Sequence, residues 1–189
     1  MKKKLGAQTL VYPTPVLIVA TYDADNTPNA MNVAWGGICS SVPPCIQISI
    51  REDRKTYQNI LEKKAFTINI PSVSNMKEAD YFGLASGKEE NKFLKTGLTA
   101  QKADEVDAPY IEEFPMALIC EVIQTSSVGS HIQIVGEIKN VIANEDILGE
   151  DGSIAIAKLK PLSFNPSTTT YDLISESVGQ AFQEGMYYK

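Results

Sequence analysis

The chain of 189 residues has few of the side chains from which metal centres, disulfides and nucleophilic active sites are built. It has one histidine, His131, and three cysteines at positions 39, 45 and 120, with no CxxC and no zinc-type spacing. Three cysteines cannot all pair, so a full disulfide framework is excluded and a reducing compartment is favoured. We therefore expect no metal, and no Ser-His-Asp arrangement can be assigned from the sequence.

Nucleotide fingerprints, long apolar runs and excess positive charge are also absent. The chain contains no GxGxxG and no Walker loop, so the usual dinucleotide and nucleoside triphosphate motifs are missing. No apolar run approaches the ~20 residues of a membrane span, and the start MKKKLGAQTL lacks the apolar stretch of a secretory signal. A formal net charge of −6 argues against a general nucleic-acid binder, which needs a basic surface. We expect a cytoplasmic protein without nucleic-acid or membrane partners.

Short strands dominate the pattern that is present. VLIVATY (16–22) is apolar and β-branched, while CIQISI (45–50) and FTINI (66–70) alternate strictly between apolar and polar residues. The stretches 116–126 and 131–143 predict a hairpin around a Val-Gly-Ser turn. Many short strands with turn punctuation indicate a sandwich or a closed barrel.

Helices are inserted between these strands. Residues 55–65 change to helical spacing, with Asp53 as a candidate N-cap, and residues 74–96 predict two helical pieces that end at Gly97. A weak helical pattern covers 174–184. Because strands and helices do not alternate regularly, a doubly wound parallel sheet is disfavoured. The sequence predicts one mainly β domain with inserted helices that takes in all 189 residues.

The segment SIREDRKT leaves a predicted strand and enters a predicted helix. By strand parity Ser49 and Arg51 share a side, while Lys55 and Thr56 fall at the helix start, where backbone N–H groups are unpaired. A hydroxyl, a guanidinium, an ammonium and helix-start amides form a candidate phosphate cradle. Asp53 would repel a phosphate unless it points away. The alternative is a solvated turn with charges of both signs.

The segment NAMNVAWGG (29–37) is a candidate surface for a flat heteroaromatic ring. Its small residues leave room for a ligand against the backbone, and Asn29 and Asn32 offer amide donors and acceptors. The alternative is that Trp35 is a core residue beside a glycine bulge.

Three further features keep more than one interpretation each. Ser40 and Ser41 either contact a ligand or close the Pro-Pro turn that follows them. Cys39 and Cys45 are either a redox pair or structural thiols, and the structural interpretation is favoured because no base lies nearby in the sequence. His131 is a candidate general acid or substrate anchor, with a plain surface position as the alternative.

Eight segments, in their order along the chain, resemble the flavin reductase-like family and, among its members, the flavoredoxins. They are YPTPVLIVATYD, NAMNVAWGGICSSVPPCIQISIR, RKTYQNI, FTINIP, DYFGLASG, NKFLKTGLT, APYIEEFP and GEI, and together they run over residues 10–165. The combination of NAM-x-V-AWGG with SIR-x-x-x-x-T is much more specific than either piece alone.

The resemblance implies an antiparallel split β-barrel of the FMN-binding type, a homodimer, and non-covalently bound FMN near the dimer interface. The residues that it implies for binding FMN are Asn29, Ala30, Met31, Asn32, Val33, Ala34 and Trp35 at the ring, Cys39, Ser40 and Ser41 at its polar edge or the ribityl chain, and Ser49, Arg51, Lys55, Thr56 and Lys92 at the phosphate. His131 is implied to lie close to the flavin or to a nicotinamide.

The implied function is an FMN-dependent oxidoreductase that moves electrons between NAD(P)H or a protein donor and FMN. Two alternatives stay open. One is a non-enzymatic FMN carrier that serves a redox protein partner, and the other is a cofactor-free β-barrel interaction module. The sequence does not distinguish NADH from NADPH, because it contains no nicotinamide fingerprint.

Overall fold

The computed structural model describes residues 1–189, and most of its regular structure is β-strand. The strands are β1 (Thr14–Pro15), β2 (Leu17–Tyr22), β3 (Pro28–Val33), β4 (Gly36–Ser41), β5 (Pro44–Ile50), β6 (Ala65–Ile70), β7 (Ala100–Lys102), β8 (Pro109–Ile111), β9 (Met116–Val128), β10 (His131–Ala143), β11 (Leu162–Asn165) and β12 (Thr170–Leu173). The α-helices are α1 (Lys55–Lys63), α2 (Met76–Leu84), α3 (Lys92–Thr96) and α4 (Ile156–Leu159), and short 3-10 turns occupy Val73–Asn75, Glu145–Ile147 and Glu184–Tyr188.

Seven strands form the main sheet in the order β3-β2-β6-β9-β10-β5-β4, and every neighbouring pair is antiparallel. Two smaller sheets, β1-β11-β12 and β7-β8, complete the molecule. The edge strands β3 and β4 are consecutive in the chain, so the sheet curls back on itself at the corner made by Ala34 and Trp35. There the Ser49 backbone N–H donates to the Trp35 carbonyl at 2.8 Å. The prediction of a mainly antiparallel β domain with inserted helices is confirmed.

Strand β2 is buried on both faces, which explains its unbroken apolar run. Leu17 and Val19 belong to a core of thirteen buried residues shared with β3, β5, β6, β9, β10 and α1. Ile18 and Ala20 face a second core of ten buried residues, to which α2 and α3 contribute. A strand that packs on two sides has no polar face, so it shows no alternation.

Strand β5 follows the alternation that its sequence predicts. Ile46, Ile48 and Ile50 are all in the first core and at most 4% exposed, while Gln47 and Ser49 on the other face are half-buried. Hydrophobic patterning alone therefore determines which face of β5 packs against the core.

Helix α1 lies where it was predicted, but its start differs. Its N-cap residue is Arg54, whose backbone is extended and whose side chain makes no capping hydrogen bond. The prediction that Asp53 is the N-cap is wrong. The Asp53 carboxylate instead lies 3.6 Å from Arg51 Nε and 3.9 Å from Arg54 Nε, because two adjacent guanidinium groups attract it. Helix α3 ends at Gly97, whose φ of 73° is left-handed as predicted.

The predicted weak helix over 174–184 is wrong. Strand β12 forms at Thr170–Leu173, and only the short turn Glu184–Tyr188 is helical in the tail. Val178 and Phe182 are 100% and 98% exposed, so this segment buries no apolar face against the domain. A short helix without such packing is not stable in water. No helix anywhere in the structure has the length and apolarity required to cross a membrane.

Candidate functional site

A cavity of about 110 Å³ lies at the open edge of β3, and we call it the β3 cavity. Its walls are residues of β3, the start of α1, the segment 82–87 at the end of α2, and Lys92 of α3. Four elements that are distant in sequence therefore converge at one point on the sheet edge.

The edge position of β3 lets both of its faces contribute to the cavity. Asn29 and Met31 come from one face, and Asn32 comes from the other. Since β3 pairs only with β2, alternate backbone N–H and C=O groups along its outer edge have no strand partner. The cavity thus combines side chains with free main-chain donors and acceptors.

The start of α1 supplies hydrogen-bond donors. The backbone N–H groups of Lys55 and Thr56 have no acceptor in the protein. The Thr56 hydroxyl accepts a 2.9 Å hydrogen bond from Asn29 Nδ2, so its own hydrogen is free to be donated. Lys55 Nζ pairs with Asp23 Oδ2 at 2.9 Å, which fixes the ammonium beside the cavity. A helix start with unpaired amides is a favourable place for an anion.

Lys92 brings a buried positive charge to the opposite wall. It is 3% exposed, and its Nζ donates to the carbonyl oxygens of Phe82 and Ala85 at 3.2 Å each. Burial, followed by repulsion from Arg54, lowers the pKa of Lys92 to about 8. Because an ammonium has three N–H donors and only two are used here, one remains for a ligand.

Gly87 closes the cavity by close packing. A Cβ at this position would lie 1.9 Å from Asn29 Oδ1 and 2.9 Å from Asn29 Cγ. Only glycine allows the 82–87 segment to approach β3 this closely, so Gly87 maintains the shape of the cavity.

The charge balance of the walls favours an anion. Three cations, Arg54, Lys55 and Lys92, and one carboxylate, Asp53, line the walls, and a second carboxylate, Asp23, is paired with Lys55 beside them. This local excess of positive charge stands in a chain whose formal net charge is −6. A group with two negative charges and several acceptor oxygens, such as a phosphate monoester, matches this donor set.

Six of the residues predicted for FMN binding are brought together here: Asn29, Met31, Asn32, Lys55, Thr56 and Lys92. The side chains of Ala30 and Val33 are instead buried in the two cores. Six more predicted residues lie at the β3–β4 corner, on the other edge strand β4 or on β5, and they are Ala34, Trp35, Cys39, Ser40, Ser41 and Ser49. Their roles stay predictions.

Arg51 and His131 share a neighbouring cleft of about 370 Å³. Arg51 is exposed, and His131 Nδ1 lies 3.0 Å from Ser130 Oγ. Asp53 lines both this cleft and the β3 cavity, so Arg51 is adjacent to the cavity without lining it. Its assignment to a phosphate, and that of His131 to a flavin or nicotinamide, also stay predictions.

Sequence reasoning missed Arg54 and the segment Ala85–Gly87. Arg54 could have been predicted from its position directly before Lys55 at a helix start, where it adds a second positive charge. The signal for Ala85–Gly87 is a run of small residues between two predicted helical pieces, which permits close approach to another strand.

All three cysteines are free thiols. Cys39 is exposed, whereas Cys45 and Cys120 are buried, and burial raises the pKa of the Cys120 thiol to about 12. Burial also raises the pKa of Cys45. Neither buried thiol is activated as a nucleophile, which for Cys45 fits the structural interpretation.

Comparison with known proteins identifies the family. Residues 9–168 match the family described as flavin reductase like domain. The chain belongs to this family. Its match covers the seven-stranded sheet, the β3 cavity and the Arg51 cleft, and it ends before β12.

Solved structures of similar proteins have the same architecture. Flavoredoxin of Desulfovibrio vulgaris (Miyazaki F) is 46% identical and superposes with a TM-score of 0.94, covering 98% of this chain and 100% of that chain. Flavoredoxin from Methanosarcina acetivorans is 25% identical with a TM-score of 0.92, covering 100% of both chains. An FMN-binding protein from Thermus thermophilus, 20% identical, shares the fold with a TM-score of 0.79 over 95% of this chain and 99% of that chain. The resemblance read from the sequence and the split-barrel fold it implied are confirmed.

Proposed function

We propose that the protein is an FMN-binding flavoprotein that transfers electrons, an oxidoreductase of the flavin reductase or flavoredoxin type. The observation that carries the proposal is the β3 cavity, where Lys55, Lys92 and free helix-start N–H groups converge. In a flavin reductase-like chain, a cavity with an excess of positive charge supports a flavin that carries a phosphate. Relatives named as flavoredoxins, and one named for FMN binding, agree with this choice.

The β3 cavity fits the charged end of FMN and not the whole molecule. Its volume of about 110 Å³ is below the roughly 300–1,000 Å³ of pockets that enclose a complete ligand. The cavity therefore suits the phosphate and the adjoining chain. The open edge of β3 offers apolar contact through Met31 and unpaired backbone groups for a polar ring edge.

When bound, FMN supplies the redox chemistry by accepting electrons from a donor and passing them to an acceptor. The chain binds and orients the cofactor. Lys92, Lys55 and the first amides of α1 hold the phosphate through charge-assisted hydrogen bonds. Free N–H groups along the edge of β3 would donate hydrogen bonds to the polar edge of the ring and act there as fixed dipoles.

The electron donor defines two versions of this function. In the first, NAD(P)H reduces the flavin and the protein is an enzyme. In the second, the protein is a non-enzymatic carrier that exchanges electrons with a redox protein partner, and the 46% identity to a flavoredoxin over nearly the whole chain favours testing it directly. We also propose a homodimer with FMN near its interface, as the family resemblance implies.

The absorbance spectrum of the purified protein tests FMN binding. We expect flavin bands in the protein as isolated, or their appearance with quenched flavin fluorescence when the apoprotein is titrated with FMN. A colourless protein that also fails to bind added FMN would mean that the proposal is wrong, and would favour the cofactor-free interaction module.

Steady-state oxidation of NADH and NADPH, measured with added FMN, separates the two versions. An enzyme oxidises at least one nicotinamide at a rate that depends on the protein concentration. A carrier binds FMN, shows no such oxidation, and is reduced only when a protein donor is supplied.

A further inference from the structure

The amide of Asn32 is held between α2 and β12 at the wall of the β3 cavity. Its Nδ2 donates to the Ala79 carbonyl oxygen at 3.0 Å and lies 3.5 Å from the Tyr171 hydroxyl oxygen. A Cβ at Gly83 would lie 3.3 Å from Asn32 Cβ, so α2 packs closely over the same side chain. Both amide hydrogens are thus engaged within the protein, and Oδ1 is the polar atom left for the cavity.

A one-way chain of hydrogen bonds sets the orientation of this amide. The Tyr171 hydroxyl donates to Asp80 Oδ1 at 2.9 Å. An ionised carboxylate only accepts, so the phenol hydrogen is committed to Asp80 and the phenol oxygen accepts from Asn32. The Ala79 carbonyl also only accepts. Turning the amide around would place Asn32 Oδ1 against two acceptors, and this costs both hydrogen bonds.

Tyr171 is itself fixed in place. It pairs with Phe164 across β11 and β12, and the two rings lie 6.1 Å apart in a tilted arrangement. Burial, together with the hydrogen bond to Asp80, raises the pKa of Tyr171 to about 12. The hydroxyl therefore keeps its proton, and the direction of the chain, throughout the neutral range.

We propose that Tyr171 is a positioning residue for the flavin site. Acting through its contacts with Asp80 and Asn32, it presents Asn32 Oδ1 as an acceptor for a hydrogen-bond donor of FMN other than the phosphate. An ionised phosphate offers only acceptors, so a carbonyl oxygen is no partner for it, whereas ribityl hydroxyls and a ring N–H are donors. This inference rests on the proposed function. It concerns a residue beyond the family match, which ends at residue 168.

The test compares FMN with riboflavin, which lacks the phosphate, as probes of the apoprotein. Tyr171→Phe keeps the ring and its packing on Phe164 but removes the hydroxyl. We expect its affinity for both flavins to fall by the same factor, roughly three- to tenfold, as for the loss of one neutral hydrogen bond. Asn32→Ala should lower both affinities similarly, and the double variant should lose no more than Asn32→Ala alone, because the two residues act in series.

Two controls make the comparison specific. Tyr110→Phe removes the hydroxyl of a half-buried residue on β8, outside the β3 cavity, and should leave both affinities unchanged. Asp80→Ala leaves Tyr171 in place but removes its acceptor, so it should lower the affinity for both flavins by the same factor. It serves as the test if Tyr171→Phe fails to fold. Circular dichroism checks the fold of each variant.

Each outcome decides the inference. An equal loss for the two flavins, absent when Asn32 is already alanine, supports it. Unchanged affinities in Tyr171→Phe, a loss for FMN alone, or additive losses in the double variant overturn it while leaving FMN binding intact. If the wild-type protein binds neither flavin, the proposed function is wrong and this inference falls with it.

Discussion

Lys92 forms no ion pair with a carboxylate, although its side chain is almost fully buried. Its Nζ contacts two main-chain carbonyls at the end of α2, where the helix dipole favours a cation. Carbonyl oxygens solvate an ammonium without cancelling its charge. The positive charge therefore remains available to an anion in the β3 cavity, which is the physical basis of the first prediction.

The affinity for FMN should fall as the pH rises above about 8. The pKa of Lys92 in the free protein is lowered to about 8, so the ammonium is charged below that pH and attracts the phosphate. A bound phosphate raises this pKa, and the loss of affinity is complete only above the bound-state value. Lys92→Met should lower FMN affinity by about 1.5–3 kcal/mol and should make that affinity nearly independent of pH between 7 and 9. Fluorescence titrations between pH 7 and 9 measure both effects.

Two controls test whether Lys92 and the phosphate are responsible for this pH dependence. Riboflavin affinity should not follow the same profile, because riboflavin has no phosphate. Lys95→Met removes an exposed lysine of the same helix and should retain the wild-type profile. An unaltered decline above pH 8 in Lys92→Met would assign the titration to another group.

Gly87→Ala should disturb the cavity through Asn29. The new Cβ would occupy the position of Asn29 Oδ1, so the amide must move and its hydrogen bond to Thr56 is lost. We expect a stability loss of about 1 kcal/mol, or roughly 2–4 °C in Tm, together with weaker FMN binding. Gly185→Ala, where a Cβ meets nothing within 4 Å, should change neither quantity. FMN affinity equal to wild type in Gly87→Ala would show that the 82–87 segment does not shape the site.

The individual site residues were only partly predictable from sequence. Lys55 and Thr56 were found from helix-start chemistry, but Lys92 was found only through the family resemblance. The contact of Gly87 with Asn29 joins segments that no local pattern connects. Arg54 was not predicted as a site residue because strand parity made Arg51 the more evident partner for Ser49. Hydrogen bonds that cross between elements depend on the folded geometry, which residue types alone do not specify.

At the level of elements, the hydrophobic periodicity of the sequence predicts those strands that bury one face against the core. The alternation of β5 and of the first half of β10 was readable because one face of each is buried. The β9–β10 hairpin was readable from the Val-Gly-Ser turn, although β9 buries Ala117–Cys120 on both faces. The role of β3 as an edge strand was not readable, since strand order depends on pairing across the whole sheet. The predicted tail helix over 174–184 failed for the related reason that no partner face exists for it in the chain.

A prediction about β10 follows from its bend. The pairing of β10 with β9 shifts register between Val135 and Gly136, and a Cβ at Gly136 would lie 2.6 Å from Phe66 Cζ and 3.0 Å from Cys120 Cβ. Gly136→Ala should therefore overpack the core and cost about 1–3 kcal/mol. Thermal unfolding should show this loss while FMN affinity stays unchanged, because the residue is outside the β3 cavity.

Gly37→Ala is the matched control for this element. Gly37 also lies in a strand of the seven-stranded sheet, but a Cβ there meets nothing within 4 Å. A similar loss of stability in both variants would mean that glycine flexibility, and not the crowding around Phe66, explains the effect.

On the scale of the whole molecule, the surface exposes apolar side chains that a single chain leaves uncovered. The hairpin of β4 and β5 exposes Ile38 by 65% and Val42 by 90%, and β4 is an edge strand with free backbone groups. Exposed edges of this kind pair readily with another chain. This geometry gives a place on the chain for the proposed homodimer contact, which the family resemblance locates only by the flavin near it.

Val42→Asp should shift the protein from dimer to monomer. Because Val42 is almost fully exposed in the single chain, the substitution should leave monomer stability unchanged, whereas a carboxylate buried in an apolar interface is costly. Sedimentation velocity over a concentration series measures the dissociation constant, and circular dichroism checks the fold. Leu94→Asp replaces another side chain, 81% exposed on α3, and should leave the dimer intact. A wild-type monomer at all concentrations would contradict the dimer, and a Val42→Asp dimer as tight as wild type would place the interface away from the β4–β5 hairpin.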